Sequence, residues 1–347
     1  MKASLKSPNQ KARSKLIALR WLAAILVAVA TPAFCMADDM ALCLAQLLQQ
    51  ADDSTTVGEL REECAQEVKA DEVPGSEQQQ TAVDARLEKD RENVLQPFTL
   101  MAHKPSYYLF GAYNQRGYST EYYDQHFGKP DVTFDDTEAQ FQFSLKIPLG
   151  VDLFKTFDIY AAYTNRSFWQ LYNEDISRPF RETNHEPEAW LQFTPDWEIF
   201  GFRNSANAIG VVHQSNGRGG ELSRSWNRIY ANFVFQRGNF ALGFKPWIRL
   251  SEAVEDDDNP DITDYLGHYE LRAGYKWKQQ VFSIMSRNNL ESGFDRGAVE
   301  LGWSFPLWNY PYLKGYIQYF NGYGESLIDY NQRVNRIGVG ISLTDWL

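Results

Sequence analysis

The chain has 347 residues and a formal net charge of -11, with 34 basic residues against 45 acidic ones. That balance disfavours nucleic acid as a partner, because phosphate binding needs clustered Lys and Arg. Aromatic residues make up 15% of the chain, and beyond the N-terminus no apolar run approaches the length of a membrane-spanning helix.

The first 37 residues read as an address. Lys2, Lys6, Lys11, Arg13, Lys15 and Arg20 form a basic region without an acidic residue, and Trp21 to Ala30 form a short apolar stretch. Ala33, Cys35 and Ala37 offer small residues for cleavage, the pattern of a secretory signal peptide. Removing six basic residues and no acidic one takes the net charge from -11 to -17. Residues 38 to 95 are polar, with helical patterns at 41–50 and 57–70 and a charged stretch to about Asn93. This predicts a periplasmic extension, partly helical and partly disordered, that buries little core. Cys43 and Cys64 both fall in it, where one disulfide fits an oxidising compartment.

The barrel domain is expected over residues 96–347, and from about Ser106 the pattern turns to period two, which places successive side chains on opposite faces of a strand. Phe141, Phe143, Leu145 and Ile147 alternate with polar residues, as do Phe157, Ile159, Ala161 and Tyr163. The same holds for Ile229 to Phe235, Phe240 to Phe244, Tyr265 to Trp277, Val299 to Phe305 and Ile337 to Leu347. A sandwich in water shares such alternation. Two details favour a membrane. Lys146, Glu270, Arg272 and Glu300 lie on the face opposite the apolar row, and the last strand is expected to run to the final residue. Counting strands gives about twelve, with Pro148, Pro195 and Pro306 placed at strand ends. The fold class is therefore an all-β, twelve-stranded antiparallel transmembrane β-barrel.

Residues 209 to 235 carry the chemistry. Ile209, Val211, His213 and Ser215 share one parity before a glycine-containing loop, and Asn227 shares that of Ile229, Ala231, Phe233 and Phe235 after it. Centring the hairpin on Gly220 sets His213 opposite Asn227, at a Cβ separation of roughly 4.5–5.5 Å. A hydroxyl, an imidazole and an amide then share one apolar surface, as do a nucleophile, its base and the group that orients the base. On a membrane barrel this face meets lipid, where a polar group is costly. A channel whose His213 and Ser215 merely line a loop would share these residues, as would a structural barrel docking partners through residues 38–95.

The run His213-Gln214-Ser215-Asn216-Gly217-Arg218 with Ser223-Arg224-Ser225-Trp226-Asn227-Arg228 resembles the signature of the outer-membrane phospholipases A. Pro179 to Asn184 followed by Glu186-Pro187, Asp258 to Thr263, and Gly322 to Asn331 resemble that family too. The resemblance covers residue 96 to the end. It implies a twelve-stranded barrel in the bacterial outer membrane that hydrolyses the acyl esters of phospholipids and lysophospholipids, with phospholipase A1, A2 and lysophospholipase activity. It further implies a calcium requirement and an active homodimer. By resemblance Ser215 is the nucleophile, His213 the base, Asn227 its orienter, and the Gly217 amide an oxyanion donor. Calcium would take the Ser223 hydroxyl and the carbonyls of Arg218 and the partner subunit's Ser177. Asn165 stands where the family carries a glutamine that bonds across the dimer. Gly220 stands where relatives can carry an acidic residue, and the acidic run Glu255 to Asp258 reads as an exposed loop with a substitute ligand as its alternative.

Overall fold

The structure, a computed structural model, describes residues 81–94, 96, 99–120, 123, 132–308 and 310–347. The expected signal sequence, the helices at 41–50 and 57–70, and the three cysteines lie outside the described residues.

The first described element is a helix, α1 (Ala82–Val94). Thr81 caps it by accepting from the Asp84 amide, while its own hydroxyl donates to the Asp84 carboxylate. A two-residue strand, β1 (Met101–Ala102), follows. Then come β2 (Tyr107–Asn114), β3 (Thr137–Leu153), β4 (Phe157–Trp169) and β5 (Phe180–Phe193). A short β6 (Trp197–Ile199) precedes β7 (Phe202–Ser215), β8 (Ser225–Arg237) and β9 (Phe240–Leu250). After a second helix, α2 (Ile262–Leu266), come β10 (Tyr269–Trp277), β11 (Gln280–Arg287), β12 (Ala298–Leu307), β13 (Tyr310–Gly322) and β14 (Val334–Ser342).

Setting aside β1 and β6, twelve antiparallel strands pair in chain order, and β14 closes the ring on β2. Closure removes the free edges that a membrane would not tolerate. The alternation resolves as expected: Phe143, Leu145, Tyr163 and Val211 are exposed on the outer wall, while Gln140, Ser144 and Lys146 are buried inside. The four inward charges find partners. Lys146 reaches Asp90 at 2.6 Å, Glu270 pairs with Arg272 at 2.8 Å, and Glu300 lies 3.9 Å from Arg166.

Short turns join strands at one end, and among the described residues the longer connections 170–179, 216–224, 251–268, 288–297 and 323–333 stand at the other. In outer-membrane barrels short turns are periplasmic and long loops extracellular.

Four features differ from the sequence expectation. Residues 82–94 are not part of a loose extension; the compact unit begins at Thr81 rather than residue 96. Although α1 has little apolar surface, its charges are matched by the barrel wall: Asp84 pairs with Arg203 and accepts from Gln236, Arg86 donates to the Ala102 carbonyl, and Asp90 holds Lys146. Second, the last strand stops at Ser342. The tail leaves the wall because Asp345 pairs with Lys314 and accepts from Ser304, and Trp346 lies under the Arg272 guanidinium at 4.1 Å. Third, Tyr265 belongs to α2. Gly267 breaks between the two elements at φ +66, and a Cβ there would meet Asn288 at 2.7 Å. Gly267→Ala is expected to lower stability by about 1–3 kcal/mol, measured as a shift in the urea midpoint of the folded barrel. Fourth, Pro148 sits within β3 rather than at its end, at a bulge where register slips between Pro148 and Gly150. A bulge lacks the ladder bond that proline cannot donate to.

Candidate active site

The hairpin β7–β8 pairs His213 with Asn227 and Ser215 with Ser225. Val212, Trp226 and Arg228 are buried inward, whereas His213 is exposed and Ser215 and Asn227 are half-buried on the outer wall. The three polar groups therefore emerge on the face that carries Val211 and Ile229. His213 Nδ1 and Asn227 Oδ1 are 2.8 Å apart, so the ring N–H donates to the amide oxygen. That bond assigns the proton to Nδ1 and leaves Nε2 as an acceptor. Residues two apart on one strand face stand about 7 Å apart at Cα, which brings Ser215 within side-chain reach of that ring. Among the described residues no hydrogen bond yet joins the two, a gap that substrate binding commonly closes.

The lumen holds this hairpin from behind. Gln214 accepts from Trp226 Nε1 at 2.9 Å and from Arg228 at 3.1 Å, and the Arg228 guanidinium stacks on the Trp226 ring at 3.9 Å. Between β5 and β7, the register puts His185 opposite Ser215 and Glu188 opposite Val212. Pro187 falls between them, across from His213, where it has no N–H to give.

The loop after Ser215 is shaped by Asn216. Its side chain donates to the Leu222 carbonyl at 2.8 Å and accepts from the amides of Arg218 and Arg224. Gly217 follows at φ +64, exposed and two residues beyond Ser215. Arg218 points its guanidinium inward to the Arg181 carbonyl at 2.7 Å and to Glu182 at 3.4 Å. Ser223 donates to the Asp258 carboxylate, so the acidic run 255–258 does reach the site through its last member. Asp257 is instead taken by Arg249 at 2.6 Å.

These donors suit calcium chemically. A hydroxyl and a carboxylate meet at Ser223 and Asp258, and hard oxygen is what calcium selects. Among the described residues no group of three or more His, Cys, Asp or Glu gathers. Ser177 lies exposed in the loop 170–179 at φ +65, and no hydrogen bond ties it to Ser223 or Arg218 within one chain. Asn165 shares the outer face with exposed Tyr163 and accepts from Ser167 at 3.1 Å.

Three contributors went unread in the sequence. Glu252 accepts from Asn227 Nδ2 at 2.9 Å. His185 Nδ1 and the Tyr163 hydroxyl are 2.5 Å apart, and the ring's Nε2 lies 3.7 Å from where a Cβ on Gly217 would stand. Asn259 takes the Ser225 amide at 3.0 Å. Parity held a signal for Glu252: Leu250 pairs with Asn227, and Glu252 continues the same face just past the strand end.

A family model described as phospholipase A1 matches residues 83–343. The chain belongs to the phospholipase A1 family. Phospholipase A1 of Escherichia coli K12 is 36% identical over 285 residues, covering 81% of this chain and 93% of the relative. That of Klebsiella pneumoniae is 37% identical, covering 76% and 88%. Among solved structures, the calcium-bound outer-membrane phospholipase dimer of Salmonella typhi superposes with a TM-score of 0.65 at 37% identity, covering 73% of this chain and 96% of that one. The Escherichia coli outer-membrane phospholipase A gives 0.64 at 36% identity, covering 72% and 100%. This phospholipase is thus a hydrolase of phospholipid esters built on an outer-membrane barrel. The family model begins at residue 83, one residue inside α1, so the phospholipase unit includes that helix.

Proposed function

We propose that the protein hydrolyses acyl esters of phospholipids and lysophospholipids at either acyl position, as a calcium-dependent homodimer, through Ser215, His213 and Asn227. The observation that carries this reading is the 2.8 Å bond from His213 to Asn227 on the lipid-facing wall, two residues from Ser215. A substrate reaching that wall from within the bilayer is a lipid.

Ser215 Oγ attacks the ester carbonyl carbon as His213 Nε2 takes its proton. The tetrahedral oxyanion faces the Gly217 amide. Collapse expels the lysophospholipid alkoxide, which recovers the proton from Nε2 and leaves an acyl-Ser215. Water then gives a proton to His213 Nε2 and attacks the acyl carbon; the bond from that carbon to Ser215 Oγ breaks, Oγ takes the proton back from Nε2, and fatty acid is released. Throughout, Asn227 Oδ1 keeps Nδ1 protonated, and a neutral orienter avoids placing a second charge beside lipid. The Ser223 hydroxyl, the Arg218 carbonyl and the partner subunit's Ser177, with Asp258 against Ser223, would hold calcium, which would supply positive charge near the oxyanion. A ligand set shared between subunits makes the monomer incomplete. Asn165, on the same wall, is offered to the partner.

Hydrolysis of phosphatidylcholine in mixed micelles is expected to fall about 10²–10³-fold in excess chelator and to return with calcium, the scale of losing an oxyanion contact. Ser223→Ala should raise the calcium needed for half-activity. Undiminished turnover by chelated, strictly monomeric protein would contradict the proposal.

A further inference from the structure

We infer that Glu252 is a positioning residue of this site, which fixes the direction of the Asn227 amide and through it the protonation of His213. The inference rests on the Ser215–His213–Asn227 reading above.

An asparagine used as orienter has a weakness. Its side-chain amide presents an oxygen at one end and an NH₂ at the other, and the two differ little in shape. If the NH₂ faced the imidazole, His213 would have to accept at Nδ1 and carry its proton on Nε2, so it could not take one from Ser215. Aspartate has no such ambiguity because both of its ends accept. Some neighbour of Asn227 must therefore choose the end.

Glu252 does so. Its Oε1 lies 2.9 Å from Asn227 Nδ2, while Asn227 Oδ1 lies 2.8 Å from His213 Nδ1. A carboxylate only accepts, so the NH₂ must point to it and the oxygen must point to the ring. Carboxylate, amide and imidazole thus form a bonded series along the outer wall, each group setting the orientation of the next. The negative charge also reaches the imidazolium formed during attack by polarising the intervening amide.

The surrounding backbone holds Glu252 at this post. Leu250 pairs with Asn227 at the end of β9, which sets the start of the loop beside β8. Arg249 ties the loop back through Asp257 at 2.6 Å and through the Pro260 carbonyl at 3.2 Å. Asn259 binds the Ser225 amide at 3.0 Å, and Asp258 binds the Ser223 hydroxyl. The loop after β9 thus clasps Ser223, just before β8, and Ser225 and Asn227 within it. Glu252 is half-buried, enough to shield its contact without stranding the charge.

The test uses full-length protein in mixed micelles of phosphatidylcholine and detergent with saturating calcium, its folding checked by heat-modifiable electrophoretic migration. Glu252→Ala should lower kcat about tenfold with KM little changed, the fold-change of a charge-assisted hydrogen bond partly screened by solvent. Glu252→Gln should recover most of that loss, because its Oε1 still accepts from Asn227. In an Asn227→Ala background, Glu252→Ala should have no further effect. Unchanged kcat in Glu252→Ala, an equal loss in the Asn227→Ala background, or a glutamine variant no better than alanine would each overturn the inference. A normal Glu252→Ala beside an inactive Ser215→Ala sinks only the role of Glu252. An active Ser215→Ala would sink the parent reading instead.

Discussion

Ser215→Ala is expected to reduce phospholipid hydrolysis by about 10⁴–10⁶-fold, the range for removal of a serine nucleophile whose base and oxyanion donors stay in place. The barrel should be unaffected. Ser215 is half-buried on the outer wall, pairs with His185 and Ser225 through backbone alone, and spends no side-chain hydrogen bond within the described residues. Replacing its hydroxyl by a methyl on a lipid-facing surface should change stability by no more than about 0.5 kcal/mol. The assay is fatty-acid release from phosphatidylcholine micelles with calcium, beside urea unfolding of the same sample. Loss of activity together with loss of fold would point to a structural role. Retention of both would leave the wall as scaffold and move catalysis elsewhere.

The second large effect concerns the fold that holds the site. Arg181, at the start of β5, is essentially inaccessible and binds Glu138 through two bonds of 2.9 Å while also pairing with Asp329. Tyr118 caps the guanidinium face at 4.0 Å. Burial pushes the Asp329 carboxyl above its ordinary range, against the pull of Arg181, so the loop 323–333 depends on this arginine to keep it in place. Arg181→Leu leaves Glu138 and Asp329 facing each other without a cation. The expected cost is about 3–5 kcal/mol, read as a lower urea midpoint. Glu138→Gln added to that variant should restore part of it. Activity should fall as well, since loss of the side-chain anchor loosens the start of β5, whose backbone carbonyl at 181 receives the Arg218 side chain at 2.7 Å from the turn beyond Ser215.

The sequence made the hairpin legible because two simple rules operate there. Period-two alternation assigns faces, and a loop centred on Gly220 assigns register, so His213 opposite Asn227 followed without further information. The same alternation marked Lys146, Glu270, Arg272 and Glu300 as inward. What escaped depends on partners remote in the chain. The helix at 82–94 looks like a polar linker until Arg203, Gln236 and Lys146 are folded around it. The tail reads as strand until Lys314 and Arg272 draw Asp345 and Trp346 off the wall. Glu252 sits in an acidic loop whose composition suggests solvent, and only the pairing of Leu250 with Asn227 shows what it touches. Proline avoids ladders, which points Pro148 to a strand end; a bulge satisfies that constraint within β3.

The lipid-facing position of the reactive serine is open to one direct measurement. Protein in vesicles can be treated with a long-chain sulfonyl fluoride, which partitions into the bilayer and labels activated serines, and the adduct mapped by mass spectrometry. The expected result is a single adduct on Ser215 that disappears in His213→Ala. An adduct on a lumen-facing residue, or undiminished labelling of Ser215 without His213, would contradict it.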